Sequence, residues 1–386
     1  MWLDDIRLVL PNRVVPRGAV RIEDGRIAEV AERAGPVAAL TLMPGIVDLH
    51  GDMIEKEVEP RPDCAFPLDV AVANLDSRLA ASGVTTAYAG VSFAEGKKGL
   101  RSEERAGELV EAVARLRAHA RTDLRVHARF EVTNARAEPL MRDLIARGMV
   151  DMVSLTDHTP GQGQYRNVEQ YVAYYSRTQN RTEEEARARA EARMAAPPAW
   201  EIARAVTELA RGQGLPIASH DDDTPEKVAL MHSLGATISE FPVTIEAARA
   251  AREMGMATLM GAPNALRGRS MTGNITALSV MEAGLLDALA ADYHQGAMLP
   301  AVATWVREGR LPLHEAIALL TVNPARAAGL TDRGAIAPGL RADLVLLETS
   351  EAAGAPPPRV RAVWREGRMI HSDGWSHVAM AVAEAA

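Results

Sequence analysis

A (β/α)8 TIM-like barrel with a small β-sandwich domain built from both chain ends is the α/β fold class that this sequence predicts. Three observations point to it. Through the middle of the chain, eight short apolar runs alternate with helical patterns. Both ends read instead as strands joined by tight turns. The first apolar run of the middle enters on the turn pair Pro44-Gly45 and leaves on His50-Gly51-Asp52, a polar ending on an otherwise apolar strand.

With 386 residues the chain suffices for one large domain and a small one, and 47% hydrophobic residues argue for a packed core rather than disorder. The net charge of −8 gives no basic footprint for a nucleic acid. No run of about 18 uncharged apolar residues occurs, so no membrane span is expected. Met1-Trp2-Leu3-Asp4-Asp5 lacks the basic and apolar regions of a signal peptide. Cys64 is the only cysteine, which excludes intramolecular disulfides and fits a reducing cytoplasm. With no base beside it, Cys64 reads as a passive thiol.

Taken in order, Val20-Arg21-Ile22-Glu23 alternates apolar and polar, turns at Asp24-Gly25 and returns as Arg26–Val30, a hairpin signal. At the other end, 342–347 and 360–364 read as strands, the second followed by a turn at 365–368. Residues 1–43 with 331–386 are therefore expected as the small β-domain, and 44–330 as the barrel. Its strands are expected at Ile46–His50, Val84–Ala89, Arg125–Val132, Met152–Asp157, Pro216–His220, Thr237–Phe241, Ala257–Met260 and Leu286–Asp292. Helices are expected at Val70–Ala81, Glu103–Arg117, Pro139–Arg147, Trp200–Arg211, Pro225–His232, Ile245–Arg252 and Ile275–Ala283. Several of the strands are apolar on both faces, as in a covered parallel sheet. A doubly wound open sheet is the rival, but no Gly-x-Gly-x-x-Gly opening is present. Gln164–Ala196 is too long for a simple loop. Its charged stretch Arg181–Arg193 is expected as a solvated helix inserted after the fourth strand. Pro356-Pro357-Pro358 reads as a turn.

In such a barrel, chemistry collects at the C-terminal ends of the strands. Residues i and i+2 of a strand share a side, so His50 and Asp52 can act together, as can His127, Arg129 and Glu131 on the third strand. The fourth strand ends at Asp157-His158, the fifth at His220 before Asp221-Asp222-Asp223, the sixth at Glu240, and the eighth at Asp292. Imidazoles and carboxylates at most of the eight ends imply a metal centre, read as binuclear, with His50, Asp52, Glu131, His158, His220 and Asp292 as ligands. That donor set suits two divalent ions, zinc foremost, with manganese or iron(II) as alternatives. Glu131 is the candidate bridge, with an internal salt bridge to Arg129 as its rival role. Asp292 is the candidate proton acceptor. Of Asp221, Asp222 and Asp223 at most two can be ligands, the others serving as helix caps before Thr224-Pro225. His127 fits either a ligand or a structural role. His119, His232, His314, His371 and His377 read as structural or surface residues. Lys56, Arg61 and Arg129 follow or face the metal strands. Arg267 and Arg269 lie with Asn264 in the glycine-rich stretch 261–274, read as a loop whose donors suit phosphate oxygens.

Pro44-Gly45-Ile46-Val47-Asp48-Leu49-His50 and Asp332-Arg333-Gly334-Ala335-Ile336, continuing to Ala342-Asp343-Leu344-Val345, resemble the amidohydrolase superfamily. The usual first motif there is His-x-His, and His50-Gly51-Asp52 departs from it. That departure is shared with the phosphonate-metabolism branch. So are Glu59-Pro60-Arg61-Pro62, Ser154–Gln162, Ala218–Asp222, Glu240-Phe241-Pro242, Leu259–Asn264 and Ala291-Asp292-Tyr293. The resemblance runs nearly end to end. It implies metal-dependent hydrolysis of a phosphoanhydride, with water attacking a ribose 1-methylphosphonate 5-triphosphate so that diphosphate leaves and the 5-phosphate remains. It gives Arg61, Arg129, Arg267 and Arg269 a place on the phosphate chain, with Asn264 in support. The alternative is amide or cyclic-amide hydrolysis, the commoner chemistry of the superfamily. The implied partner is a small phosphorylated sugar, with neither nucleic acid nor membrane, and self-association into a homo-oligomer is compatible with the sequence.

Overall fold

The computed structural model describes residues 1–61, 64–94, 102–178, 181–270 and 273–374. His377 lies outside them.

All eight expected barrel strands form. They run Ile46–Gly51, Val84–Phe93, Asp123–Glu131, Met152–Thr156, Ile217–His220, Ile238–Glu240, Ala257–Gly261 and Ala288–Ala290, and they pair in sequence order in one parallel sheet. Every residue of Ile46–Gly51 and of Met152–Thr156 is buried, which is why these strands read as apolar runs rather than as alternating ones. The first and eighth strands meet through a parallel bridge between Gly51 and Asp292. There the Asp292 N–H donates to the His50 carbonyl at 2.8 Å, and the Asp52 N–H to the Asp292 carbonyl at 2.7 Å. Asp48 completes the seam, its Oδ1 accepting from the Ala291 N–H at 2.9 Å and the His50 N–H at 3.3 Å.

The helices follow from their periodicity and their caps. Glu103–Leu116 buries Ala106, Leu109, Val110 and Val113, the i, i+3, i+4, i+7 stripe of an amphipathic helix. Thr182, Thr224, Thr244 and Thr276 each cap a helix by accepting from the amide three residues on. Each such cap contributes about 1 kcal/mol. The cap of Pro225–Ser233 is Thr224, not one of the aspartates before it. Proline is well suited to the first helical position, which leaves the residue just before it as the cap. The glycine-rich stretch is not a loop throughout. Ala262–Arg267 is a short helix with Pro263 in its first turn, ending at Gly268 with φ 67°. Residues 271–272 of that stretch lie outside the described residues.

Strands from both ends of the chain build a separate seven-stranded mixed sheet. Its order is Arg368–Ser372, Arg359–Arg365, Leu344–Glu348, Leu40–Pro44, Trp2–Leu10, Arg13–Glu23 and Arg26–Glu32. Leu8, Leu42, Leu344 and Trp364 are among its buried core. Its two tight turns have left-handed residues at both central positions: Asp24 (φ 48°) with Gly25 (φ 76°), and Glu366 (φ 49°) with Gly367 (φ 71°). That pattern defines hairpin turns of type I′. The turns also touch. A Cβ on Gly25 would lie 3.0 Å from the Glu366 carbonyl oxygen, and one on Gly367 2.8 Å from Ile22.

The chain divides into two compact units, residues 1–89, 115–125 and 288–386, and residues 90–114 with 126–287. In the first, the Arg333 side chain is 5% exposed. It pairs with Asp123 at 2.5 Å and Asp332 at 2.8 Å, and donates to Thr86 Oγ1 at 2.9 Å.

In the second unit, the stretch after the fourth barrel strand folds as two helices, Val168–Thr178 and Glu183–Ala195. The second, expected as a solvated helix, is exposed over most of its surface but has one covered face. There Ala186 and Ala190 are buried, Ala190 packing with Tyr165 and Tyr171. The two alanines, four residues apart, share one helical face, and at Ala190 the small side chain admits the tyrosine rings closely. Among the described residues no helix is long and apolar enough to cross a membrane.

Candidate metal centre

Strands five, six and eight of the barrel end alike. The first residue after strands five and six, and the second after strand eight, donates its N–H to the next strand in the sheet and is itself left-handed. Asp221 (φ 56°) donates to Glu240 at 2.9 Å, Phe241 (φ 55°) to Leu259 at 2.8 Å, and Asp292 (φ 54°) to His50 at 2.8 Å. Aspartate tolerates this conformation, but for phenylalanine it is strained by about 1–3 kcal/mol. The strained residue presents its ring edge-on to His220, centroids 5.2 Å apart.

His158, His220 and Asp221 offer ligand atoms that all lie within 4.8 Å of one another. His220 Nδ1 is 2.9 Å from Asp221 Oδ2, and His158 Nε2 is 4.0 Å from the same oxygen. On its other side, His220 Nε2 is 3.2 Å from Arg129 Nη2. A guanidinium has no acceptor, so Nε2 can only accept from Arg129, while Nδ1 faces Asp221. Burial alone would raise the Asp221 carboxyl, but His220, His158 and Arg129 hold it below the ordinary carboxylate value.

Glu131 joins this group through His158. Its Oε2 is 2.6 Å from His158 Nδ1, and its Oε1 accepts the His158 N–H at 3.1 Å. Oε1 is also 3.0 Å from Arg193 Nη2. Where the sequence offered Arg129 as an ion-pair partner for Glu131, the pair formed here is with Arg193 from the inserted helix. Burial would raise the Glu131 carboxyl, but His158 and Arg193 bring it down to about 2.

Surrounding groups hold these side chains in place. Asp157 Oδ2 accepts from Lys227 Nζ and Gln162 Nε2, both at 2.7 Å, and Oδ1 from Thr159 Oγ1 at 2.7 Å. Lys227 Nζ also lies 4.6 Å from the Trp200 ring centroid. Asp222 accepts from Ser219 and from Ser239, the latter at 3.0 Å, and burial pushes its carboxyl up to about 6. Asp223 accepts the Gly163 N–H at 2.9 Å. Of the three consecutive aspartates, Asp221 alone reaches the histidines, while the other two brace backbone and hydroxyls.

On the first strand, buried His50 places Nε2 3.5 Å from Asp52 Oδ1, and half-buried Asp292 is tied to both residues through the backbone. Burial pushes the neighbouring Asp48 carboxyl up to about 7. His127 Nε2 lies 3.8 Å from Glu240 Oε2, with both side chains fully buried. Arg129 is buried within the histidine cluster. Lys56, Arg61, Arg267 and Arg269 are exposed, and Asn264 is half-buried on its short helix.

Sequence reasoning placed Asp221 and Glu240 at strand ends without choosing either as a ligand, and it did not single out Lys227 or Arg193. The alternation along the third strand already set His127 beside Arg129 and Glu131, and that was the available signal. Two imidazoles with a carboxylate at this spacing fit a divalent ion of the zinc type, leaving a position open for reactants. Accordingly, His220→Ala is expected to remove most of the metal that the chain retains after metal-supplemented expression. Elemental analysis of the purified protein measures this, and unchanged occupancy would exclude His220 as a ligand.

An amidohydrolase family profile matches residues 178–371. Alpha-D-ribose 1-methylphosphonate 5-triphosphate diphosphatase of Escherichia coli (strain K12) is 35% identical over 382 residues, spanning 96% of this chain and all of that one. Among solved structures, N-acetyl-D-glucosamine-6-phosphate deacetylase from Mycobacterium smegmatis aligns with a TM-score of 0.64 at 18% identity, covering 96% of this chain and 100% of the other. A 5-methylcytosine deaminase from Klebsiella pneumoniae aligns at 0.61 and 16%, covering 96% and 98%. At such identities the two structures speak for the fold alone.

Proposed function

This chain belongs to the amidohydrolase family, and on that premise we propose that it is a metal-dependent phosphoanhydride hydrolase. Its proposed reaction is release of diphosphate from alpha-D-ribose 1-methylphosphonate 5-triphosphate, leaving the 5-phosphate. The observation that carries this reading is the 35% identity, sustained over 96% of the chain, to the Escherichia coli protein of that name. The buried Arg129 beside His220 supports it, since it adds a fixed cation where a phosphoryl group would meet the histidine cluster.

In this proposal His158, His220, Asp221 and Glu131 hold one divalent ion, and His50 and Asp52 hold another. Such ions, when bound, supply Lewis acidity to a phosphoryl oxygen and acidify water to a pKa near about 7. Asp292 accepts the proton of the attacking water and also stands as a ligand candidate. Arg129 neutralises charge on the phosphoryl group under attack. Lys56, Arg61, Arg267, Arg269 and Asn264 bind the rest of the phosphate chain. The oxygen of water forms the new P–O bond, and the bridging P–O bond breaks with its electron pair leaving on diphosphate.

Metal-supplemented protein incubated with nucleoside triphosphates and, separately, with N-acyl amino acids tests the assignment. Diphosphate should appear from the first set, with no carboxylate or amine from the second. Amide cleavage without diphosphate would replace the proposal with the amide-hydrolase reading.

A further inference from the structure

We propose that Arg193, carried on the inserted helical hairpin, is a specificity-determining residue that offers its guanidinium fork to the polyphosphate end of the substrate. The inference rests on the phosphoanhydride reading above and extends it to a residue outside the barrel strands.

Across Glu183–Ala195, most side chains are exposed. The exceptions are Ala186, Ala190 and Arg193, spaced i, i+4, i+7 on one face. On that face Ala190 packs against Tyr165 and Tyr171, and Ala186 is buried too. The third position puts a cation there instead, with its side chain only 10% exposed. Burying a guanidinium is costly unless its donors are met. Among the described residues Arg193 pairs through Nη2 with Glu131 Oε1 at 3.0 Å, and its buried Nε makes no hydrogen bond. Buried donors in native proteins are ordinarily satisfied. Glu131 is meanwhile already engaged, taking both the ring and the backbone N–H of His158. A guanidinium so placed keeps an unmet Nε donor beside the Glu131–His158 pair, and a phosphate with its several acceptor oxygens can meet it together with the fork's charge.

The hairpin is also built to hold that side chain still. Tyr171 stacks on Tyr175 with centroids 4.8 Å apart, and Tyr165 meets Tyr171 edge-on at 5.6 Å. Arg189 lies 4.9 Å from the Tyr175 ring centroid. Arg187 grips Glu169 with two bonds, at 2.8 and 2.7 Å, tying one helix to the other. Four of the six tyrosines of the chain lie in this segment, which is a large aromatic investment for an arm with no other visible task. Positioning a fork in advance lowers the entropy lost when a phosphate binds.

The test compares the metal-loaded full chain with Arg193→Met, Arg193→Lys and Arg187→Met. Arg187→Met loosens the hairpin but leaves Arg193 in place. Calorimetric binding of inorganic tripolyphosphate and of inorganic phosphate is the readout, alongside the KM-against-kcat split for a nucleoside triphosphate. Arg193→Met should weaken tripolyphosphate binding by at least about tenfold, as expected for loss of a charge-assisted fork. Inorganic phosphate should be much less affected, and the turnover defect should sit in KM. Arg193→Lys should fall between, because it keeps the charge without the fork, and Arg187→Met should lose clearly less than Arg193→Met, because it frees one exposed tie of the hairpin but keeps the fork. Equal tripolyphosphate binding by Arg193→Met and the unaltered chain overturns the assignment to Arg193 while leaving the proposed reaction standing. A loss of equal size in Arg187→Met also overturns it, because hairpin order would then be the cause. If the unaltered chain neither hydrolyses the triphosphate nor prefers tripolyphosphate over phosphate, the functional reading fails and the role of Arg193 falls with it.

Discussion

Asp292→Asn is expected to lower kcat by about 10²–10⁴-fold, the usual contribution of a positioned general base. The bound metal should be retained. Asp292 sits at φ 54°, and its backbone closes the barrel seam through the His50 carbonyl and the Asp52 N–H. Asparagine tolerates the left-handed conformation as aspartate does and is nearly its shape, so the seam and the placing of His50 should survive. What is lost is the capacity to take a proton. Steady-state kinetics paired with elemental analysis separates the roles: a fall in turnover at constant metal content identifies a proton acceptor. Parallel loss of metal and turnover would make Asp292 a ligand and no more.

The second large effect concerns stability. Arg333→Met should destabilise the fold by about 2–4 kcal/mol, below the upper range for breaking a buried ion pair because its carboxylate partners are partly exposed. Arg333 reaches Thr86 on the second barrel strand, Asp123 at the start of the third, and its own neighbour Asp332. Methionine fills much of the volume but meets none of these acceptors. Equilibrium denaturation by urea measures the change, and an unaltered midpoint would show that the cluster contributes nothing net. The pH dependence has a definite sign. Burial opposes ionisation of Asp123, yet Arg125 and Arg333 hold its carboxyl below the ordinary 3.8. Stability from that shift is present above about pH 4 and is lost as the pH falls through the lowered folded value. The gap between the two proteins should therefore narrow in acid.

The barrel was legible because its strands are buried on both faces, so each appears as an uninterrupted apolar run between helical patterns. The ends were less so: Leu286–Asp292 was expected where the ladder holds only Ala288–Ala290. Strand periodicity also carried much of the candidate site. Alternation alone set His50 with Asp52, and His127, Arg129 and Glu131 on one side. It could not tell Asp221 from Asp222 and Asp223, since three like residues at a strand end differ only in what the next strands present to them. Nor could it find Arg193. In a helix crowded with arginine and glutamate, the inward position is chosen by packing against tyrosines on a neighbouring helix, and charge patterning carries no trace of it.

The sheet built from both chain ends has a consequence for synthesis. Leu40–Pro44 pairs residue for residue with Leu344–Glu348, partners about 300 residues apart. At translation rates of about 5–20 residues per second, the ribosome needs roughly 15–60 s to deliver the second strand after the first. Throughout that interval the nascent chain carries an apolar strand, Leu40-Thr41-Leu42-Met43, with one edge lacking its final neighbour. Completion of that sheet thus waits for the second strand to be made, and until then rapid barrel formation or a chaperone would keep the open edge from recruiting other chains.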